Sequence, residues 1–117
     1  MTTAMPESPA SLSPLVDGLS GNLDLECFMA QVIEEIFLLW KQRQKKYGPS
    51  NIAAFGETGC LVRGYDKMAR LRQALINKKG LDVDDESVED SWKDLANYAL
   101  MGLVCRRGFW PGVEQRS

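Results

Sequence analysis

The sequence predicts one all-α domain, a small bundle of three main helices. Three observations carry that expectation. Apolar residues recur at helical spacing in three separate segments. Glycine or Gly-Pro punctuates the end of each segment. No segment shows the alternation of period two that marks a strand. With 117 residues the chain suits one domain. The expected division is a tail over 1–22, a helical domain over 23–108 and a short tail over 109–117.

The first 22 residues are rich in Ser, Pro, Thr and Gly. Pro6, Pro9 and Pro14 oppose helix there, and the stretch reads as a flexible tail. Its one apolar pair, Leu15 and Val16, offers a foothold for a partner subunit. The first helix is expected over 23–46, opening near Asp24 and ending at Gly48-Pro49. Met29, Val32, Ile33, Ile36, Phe37 and Trp40 share its apolar side. Its basic end (Lys41, Arg43, Lys45 and Lys46) complements the carbonyl end of the helix dipole.

A loop over 47–58 leads to the second helix, expected over 59–78 and closed by Gly80. Leu61, Tyr65, Met68, Leu71 and Leu75 line one side. Asp66, Arg70, Gln73 and Asn77 line the other, with Lys67 at the edge. The third helix is expected over 84–107. Asp84 and Asp85 suit its start, and Gly108 stops it. Val88, Trp92, Leu95, Ala99 and Leu103 form its apolar stripe. The tail beyond it exposes Phe109-Trp110. About 85 helical residues make a marginal core, so association is expected to help.

Composition removes several function classes. The net charge of -2 gives no concentrated positive surface for coating DNA. No apolar run approaches the roughly 20 residues that span a bilayer, so no membrane partner is expected. The start, MTTAMPESPASLSP, lacks the basic and apolar regions of a signal peptide, which suggests the cytoplasm. Cys27, Cys60 and Cys105 are odd in number and far apart, which suits small buried hydrophobes better than disulfides or a zinc knuckle. The chain contains no histidine. Ser-His-Asp and Cys-His catalysis and His-ligated zinc are therefore excluded. Chemistry here must use carboxylates, Lys, Arg, Tyr or an oxygen-held metal.

Glu86, Asp90, Asp94 and Asn97 fall at i, i+4, i+8 and i+11 of the third helix, opposite the apolar stripe. Acids stacked this way repel one another, and Lys93 is the nearest counter-charge. A hard divalent ion such as Mg²⁺ would relieve the repulsion, since it takes carboxylate and phosphate oxygens. The competing reading is a solvated face. Met101 and Val104 further along count against uniform solvation. On the first helix Glu34 lies opposite the apolar stripe. Glu35 lies at its edge and is the better ligand candidate. Lys67 and Arg70 can clamp phosphate, or can simply be solvated. Tyr47 can stack on a base, or can be a buried turn residue.

Three motifs in order resemble a known family. Lys46-Tyr47-Gly48, then Lys67-Met68-Ala69-Arg70-Leu71, then Asp85-Glu86-Ser87-Val88-Glu89-Asp90 leading into Asn97-Tyr98, resemble the nucleotide modification associated domain common in phages. The resemblance covers about residues 25 to 107. That family looks like the all-α nucleoside triphosphate pyrophosphohydrolases of the MazG type. The resemblance implies a MazG-like fold completed by oligomerisation as a dimer or tetramer. It implies a Mg²⁺-dependent enzyme of phage nucleotide metabolism, with Mn²⁺ as a substitute, in the cytoplasm of an infected host. Such an enzyme converts a nucleoside triphosphate to the monophosphate and pyrophosphate. One branch serves phages that replace adenine by 2-aminoadenine, and it acts on dGTP.

The pattern departs from the MazG type in two places. Glu34-Glu35 and Leu38 stand where Glu-x-x-Glu is usual, and Glu86 and Asp90 are spaced four apart instead of three. The expected roles are then as follows. Glu35, Glu86 and Asp90 ligate metal and carry catalysis, with Asp94 or Asp66 as a further ligand or as base. Lys67 and Arg70 bind phosphate, and Tyr47 and Asn97 contact the nucleoside. Two rivals fit the same residues, a nucleotide-binding accessory protein without turnover and a helical module that binds another protein.

Overall fold

Asn22 opens the first helix. Its Oδ1 accepts a hydrogen bond from the Leu25 N–H at 2.9 Å, the third-position contact of a side-chain cap. The cap therefore lies two residues before the expected Asp24. The computed structural model describes residues 22–77 and 85–113. The tail expected over 1–22 thus lies outside the described residues except for Asn22, as do the cap at Asp84 and the stop at Gly80.

The protein is all-helical, and among the described residues there is no strand. Helix α1 is Leu23–Tyr47, α2 is Ser50–Ala53, α3 is Gly56–Arg72 and α4 is Asp85–Arg106. A π-helical turn, Gln73–Asn77, prolongs α3. The three long helices match the sequence expectation, and the short α2 falls in what reads as a loop. Among the described residues no helix is long and apolar enough to cross a membrane.

The chain divides between Leu39 and Trp40 into two units. The first unit contributes the early turns of α1. The second holds the rest of α1, with α2, α3 and α4, and its main packing is α3 against α4. These two helices run antiparallel. Glu57 meets Arg106 near one end, and Lys67 meets Asp94 near the other.

Small side chains set this packing. A Cβ placed on Gly102 would stand 3.4 Å from the Cβ of Cys60, and one on Gly64 would stand 3.5 Å from Leu95 Cδ1. Cys60, Gly64 and Leu71 are the buried line of α3, and Ser91, Asp94, Asn97 and Cys105 that of α4. The burial pattern corrects the sequence reading. Asp94 and Asn97 of the α4 face read as polar turn inward while Glu86 and Asp90 stay exposed, and Trp92 and Leu103 of its apolar stripe are exposed too. On α3, Leu61 and Tyr65 are 63% and 66% exposed. Close approach favours Gly, Cys and Ser at the seam, and this leaves the bulky residues to flank it.

Two glycine turns close the second unit. Gly48, at φ 74°, ends α1, and its N–H donates to the Gln44 carbonyl at 2.8 Å. Gly108, at φ 75°, ends α4. There the Phe109 N–H donates to Val104 O at 3.1 Å and the Gly108 N–H to Cys105 O at 3.0 Å. This pair is the Schellman arrangement, which reverses the chain. The reversal carries Trp110 into the core with Ile52, Cys60 and Cys105.

Trp110 corrects a second expectation. The sequence places it in an exposed tail, yet it is 5% exposed, whereas Phe109 is 75% exposed. Its Nε1–H donates to Pro49 O at 3.0 Å. Its ring meets Trp40 edge-on at 6.2 Å. The structured core thus passes Gly108 and includes Val113. We expect Trp110→Ala to cost about 3–5 kcal/mol of stability in urea unfolding, through the lost packing. Trp110→Phe should cost about 1 kcal/mol through the lost hydrogen bond. A Trp110→Ala loss within the error of the wild-type value would refute the core assignment.

Candidate functional site

The polar site of the second unit grows from one buried carboxylate. Asp94 sits in the middle of α4 on its inward face, 8% exposed, with Asn97 one turn on at 4%. Helical spacing stacks them with Ser91. A carboxylate in such a place must be paired. Arg43, one turn from the end of α1, donates to Asp94 Oδ1 through a charged hydrogen bond. Lys67, on the seam side of α3, holds Asp94 Oδ2 at 3.0 Å. Three helices therefore contribute one charge each to a single cluster.

Electrostatics follow from that geometry. Burial by itself would push the Asp94 carboxyl up. The hydrogen bonds and charges of Arg43 and Lys67 outweigh it and hold the group below the usual carboxylate range. The side chains of Lys67 and Asp94 are mostly covered, and that of Arg43 is half-exposed.

The cluster forms the floor of a cavity of about 420 Å³, a size suited to a small organic ligand. Trp40, Tyr47 and Tyr98 give it aromatic walls. Gln44, Asn51 and Asn97 give it amide groups. Among the described residues, Arg43, Arg63 and Lys67 give it three positive charges against the one negative charge of Asp94. Arg63 stands one turn before Lys67 on α3 and forms no ion pair with any described residue. The lining combines aromatic faces, amides and surplus cations, which are the groups that hold a base and a phosphate chain.

Of the residues singled out from the sequence, Tyr47, Lys67, Asp94 and Asn97 line this cavity. Asp66 and Arg70 are exposed on α3, and Glu86 and Asp90 are exposed on α4; none of the four lines it. Glu35 lies in the other unit, on the stretch of α1 that ends at Leu39. Among the described residues no group of three or more Asp, Glu, Cys or His is placed to hold a metal ion. Sequence reasoning missed Arg43 and Arg63. Arg43 reads as one of four cations serving the helix dipole. Arg63 carries a usable signal, its i, i+4 spacing to Lys67.

The cysteines fit the expectation of buried small residues in two cases of three. Cys60 and Cys105 are buried free thiols in contact across the seam, and Cys27 is exposed. Burial first, then the neighbouring Cys105, pushes the Cys60 thiol up to about 11. It is therefore a poor nucleophile at neutral pH.

No family model, no curated protein and no solved structure matches this chain.

The depressed carboxyl makes stability depend on acid. A group whose pKa is lower when folded than when unfolded stabilises the fold above the unfolded value. That contribution is lost as pH falls through the folded value. The melting temperature of the wild-type chain should exceed that of Asp94→Asn at pH 7. The gap should close as pH drops below about 4. A gap of the same size at pH 7 and pH 3 would show that Asp94 does not act through its charge.

Proposed function

We propose that this cavity binds a nucleoside triphosphate and that the protein is a metal-dependent pyrophosphohydrolase, releasing the monophosphate and pyrophosphate. A purine deoxynucleotide, dGTP foremost, is the substrate that the family resemblance favours. One observation carries the reading. Arg43, Arg63 and Lys67 converge on a cavity with aromatic walls, and the one carboxylate that lines it among the described residues already bridges two of them. A phosphate chain presents the same oxygen chemistry with more charge. Tyr47 supplies a face for the base, and Asn97 and Asn51 supply amides for the sugar or base edge.

The donor chemistry of α4 suits Mg²⁺ in one respect. Asp90 and Asp94 are one helical turn apart, and Mg²⁺ commonly takes one or two carboxylates and fills its shell with water and substrate oxygens. Asp90, exposed outside the cavity, and Asp94, whose two oxygens are engaged by Arg43 and Lys67, would hold the ion only once those cations leave Asp94. When bound, the ion would polarise the phosphate and activate a water. The chain's own residues do the rest. Lys67 and Arg63 neutralise and orient the phosphates, Arg43 closes on them from α1, and the aromatic walls exclude water from the nucleoside.

A second reading is an accessory protein that binds the nucleotide without turnover. The exclusive pairing of Asp94 with cations favours it. For the subunit interface that the resemblance implies, the exposed apolar residues Leu61, Tyr65, Met68, Trp92 and Leu103 of α3 and α4 are the matching surface.

Incubation with each deoxynucleoside triphosphate and Mg²⁺ or Mn²⁺ should release pyrophosphate from at least one. Lys67→Ala should lower kcat/KM roughly 10- to 100-fold, the worth of a charge-assisted contact. Tight binding in calorimetry with no pyrophosphate in either metal would leave the accessory reading. Sedimentation should show a dimer or tetramer that Met68→Glu dissociates. A wild-type chain that sediments as a monomer would remove the interface.

A further inference from the structure

Among the described residues three cations and one acid line the cavity, and their pairing is uneven. Asp94 engages Arg43 through one oxygen and Lys67 through the other. Arg63 forms no ion pair with any described residue, although it lines the same cavity. Both oxygens of a single carboxylate thus occupy positions between two cations from different helices. A phosphate group would bind between the same two cations.

We propose that Asp94 is a built-in competitor for the phosphate subsite, and that a polyphosphate binds by drawing Arg43 and Lys67 away from it. This rests on the reading of the cavity as a phosphate site and adds how that site is regulated. Arg63, which no carboxylate among the described residues pairs, makes the first contact with the incoming chain. Arg43 follows readily, because its side chain is 44% exposed and keeps its long-stem freedom. Lys67, at 19%, is more confined and yields last.

The exchange has two consequences. A ligand must bring enough negative charge to outcompete a buried carboxylate on two cations at once. A triphosphate does so better than a monophosphate, which gives the site a preference for substrate over product. The carboxylate that loses its partners becomes an anion on the floor of the occupied cavity, one turn from Asp90. Phosphate binding and release of the carboxylate are thereby one event, and Asp94 is kept paired while the cavity is unused.

The test is calorimetric titration of the full chain with inorganic tripolyphosphate in metal-free buffer containing a chelator. Asp94→Asn should bind roughly tenfold tighter than wild type. Glu89→Gln, which removes the same charge from an exposed position three residues beyond Glu86, should change affinity less than about twofold. Arg63→Gln should bind roughly tenfold weaker, with Arg63→Lys intermediate. If wild type binds and a folded Asp94→Asn binds equally or more weakly, competition is overturned while the phosphate site stands. If neither chain binds tripolyphosphate, the phosphate site itself falls and the competitor with it. Should Asp94→Asn fail to fold, carbon-13 carboxylate spectra of the wild type decide. The Asp94 carboxyl resonance must move on saturation with tripolyphosphate, and an unmoved resonance overturns the proposal.

Discussion

A carboxylate withdrawn from water at the centre of a helix seam has to find cations, and in this protein that demand organises the second unit. Asp94 cannot stay ionised there alone. Arg43 and Lys67 meet it from two other helices, so the end of α1 and the middle of α3 are tied to one point on α4. The cavity is the space left around that tie. Its aromatic walls come from residues near two of those points, Trp40 and Tyr47 on α1 and Tyr98 on α4. Electrostatic need and the shape of the cavity thus share one cause.

The seam beneath the tie solves a different problem. Gly64, Gly102, Cys60 and Cys105 let α3 and α4 come close without bulky side chains between them. Close approach brings Lys67 within reach of Asp94. It also turns the larger apolar residues of both helices aside, onto the flanks of the seam. The exposed Leu61, Tyr65, Trp92 and Leu103 are therefore a consequence of the geometry that builds the polar site.

The extents of the long helices were legible because their stops are chemical. Gly48-Pro49 and Gly108 halt a helix wherever they stand, and the structure ends α1 and α4 beside them. The inward faces were not legible. A stripe such as Trp92, Leu95, Ala99 and Leu103 looks like a core face by hydrophobicity. Which side turns inward depends on how closely two helices pack, and small residues decide that. Half of the candidate site was readable. Tyr47, Lys67, Asp94 and Asn97 came from motif and spacing, and they share the cavity. Glu86, Asp90, Asp66 and Arg70 came from the same spacing logic and are exposed outside it, since period alone does not say where a neighbouring helix lies. Arg43 stayed hidden among the cations that end α1, because its partner is 51 residues away. Trp110 stayed hidden because a Schellman turn reverses the chain after the last obvious stop.

That reversal makes the segment after the last helix an internal brace. Trp110 reaches back to Trp40, two turns inside α1, and to Pro49 at the corner where α1 hands over to α2. Tyr47 and Asn51, on the rim of the cavity, flank that corner. A chain cut after Gly108 keeps every long helix and would still look helical by circular dichroism. It would nonetheless lose the wedge that braces the rim, so the shape of the cavity mouth depends on an indole that lies outside all the helices.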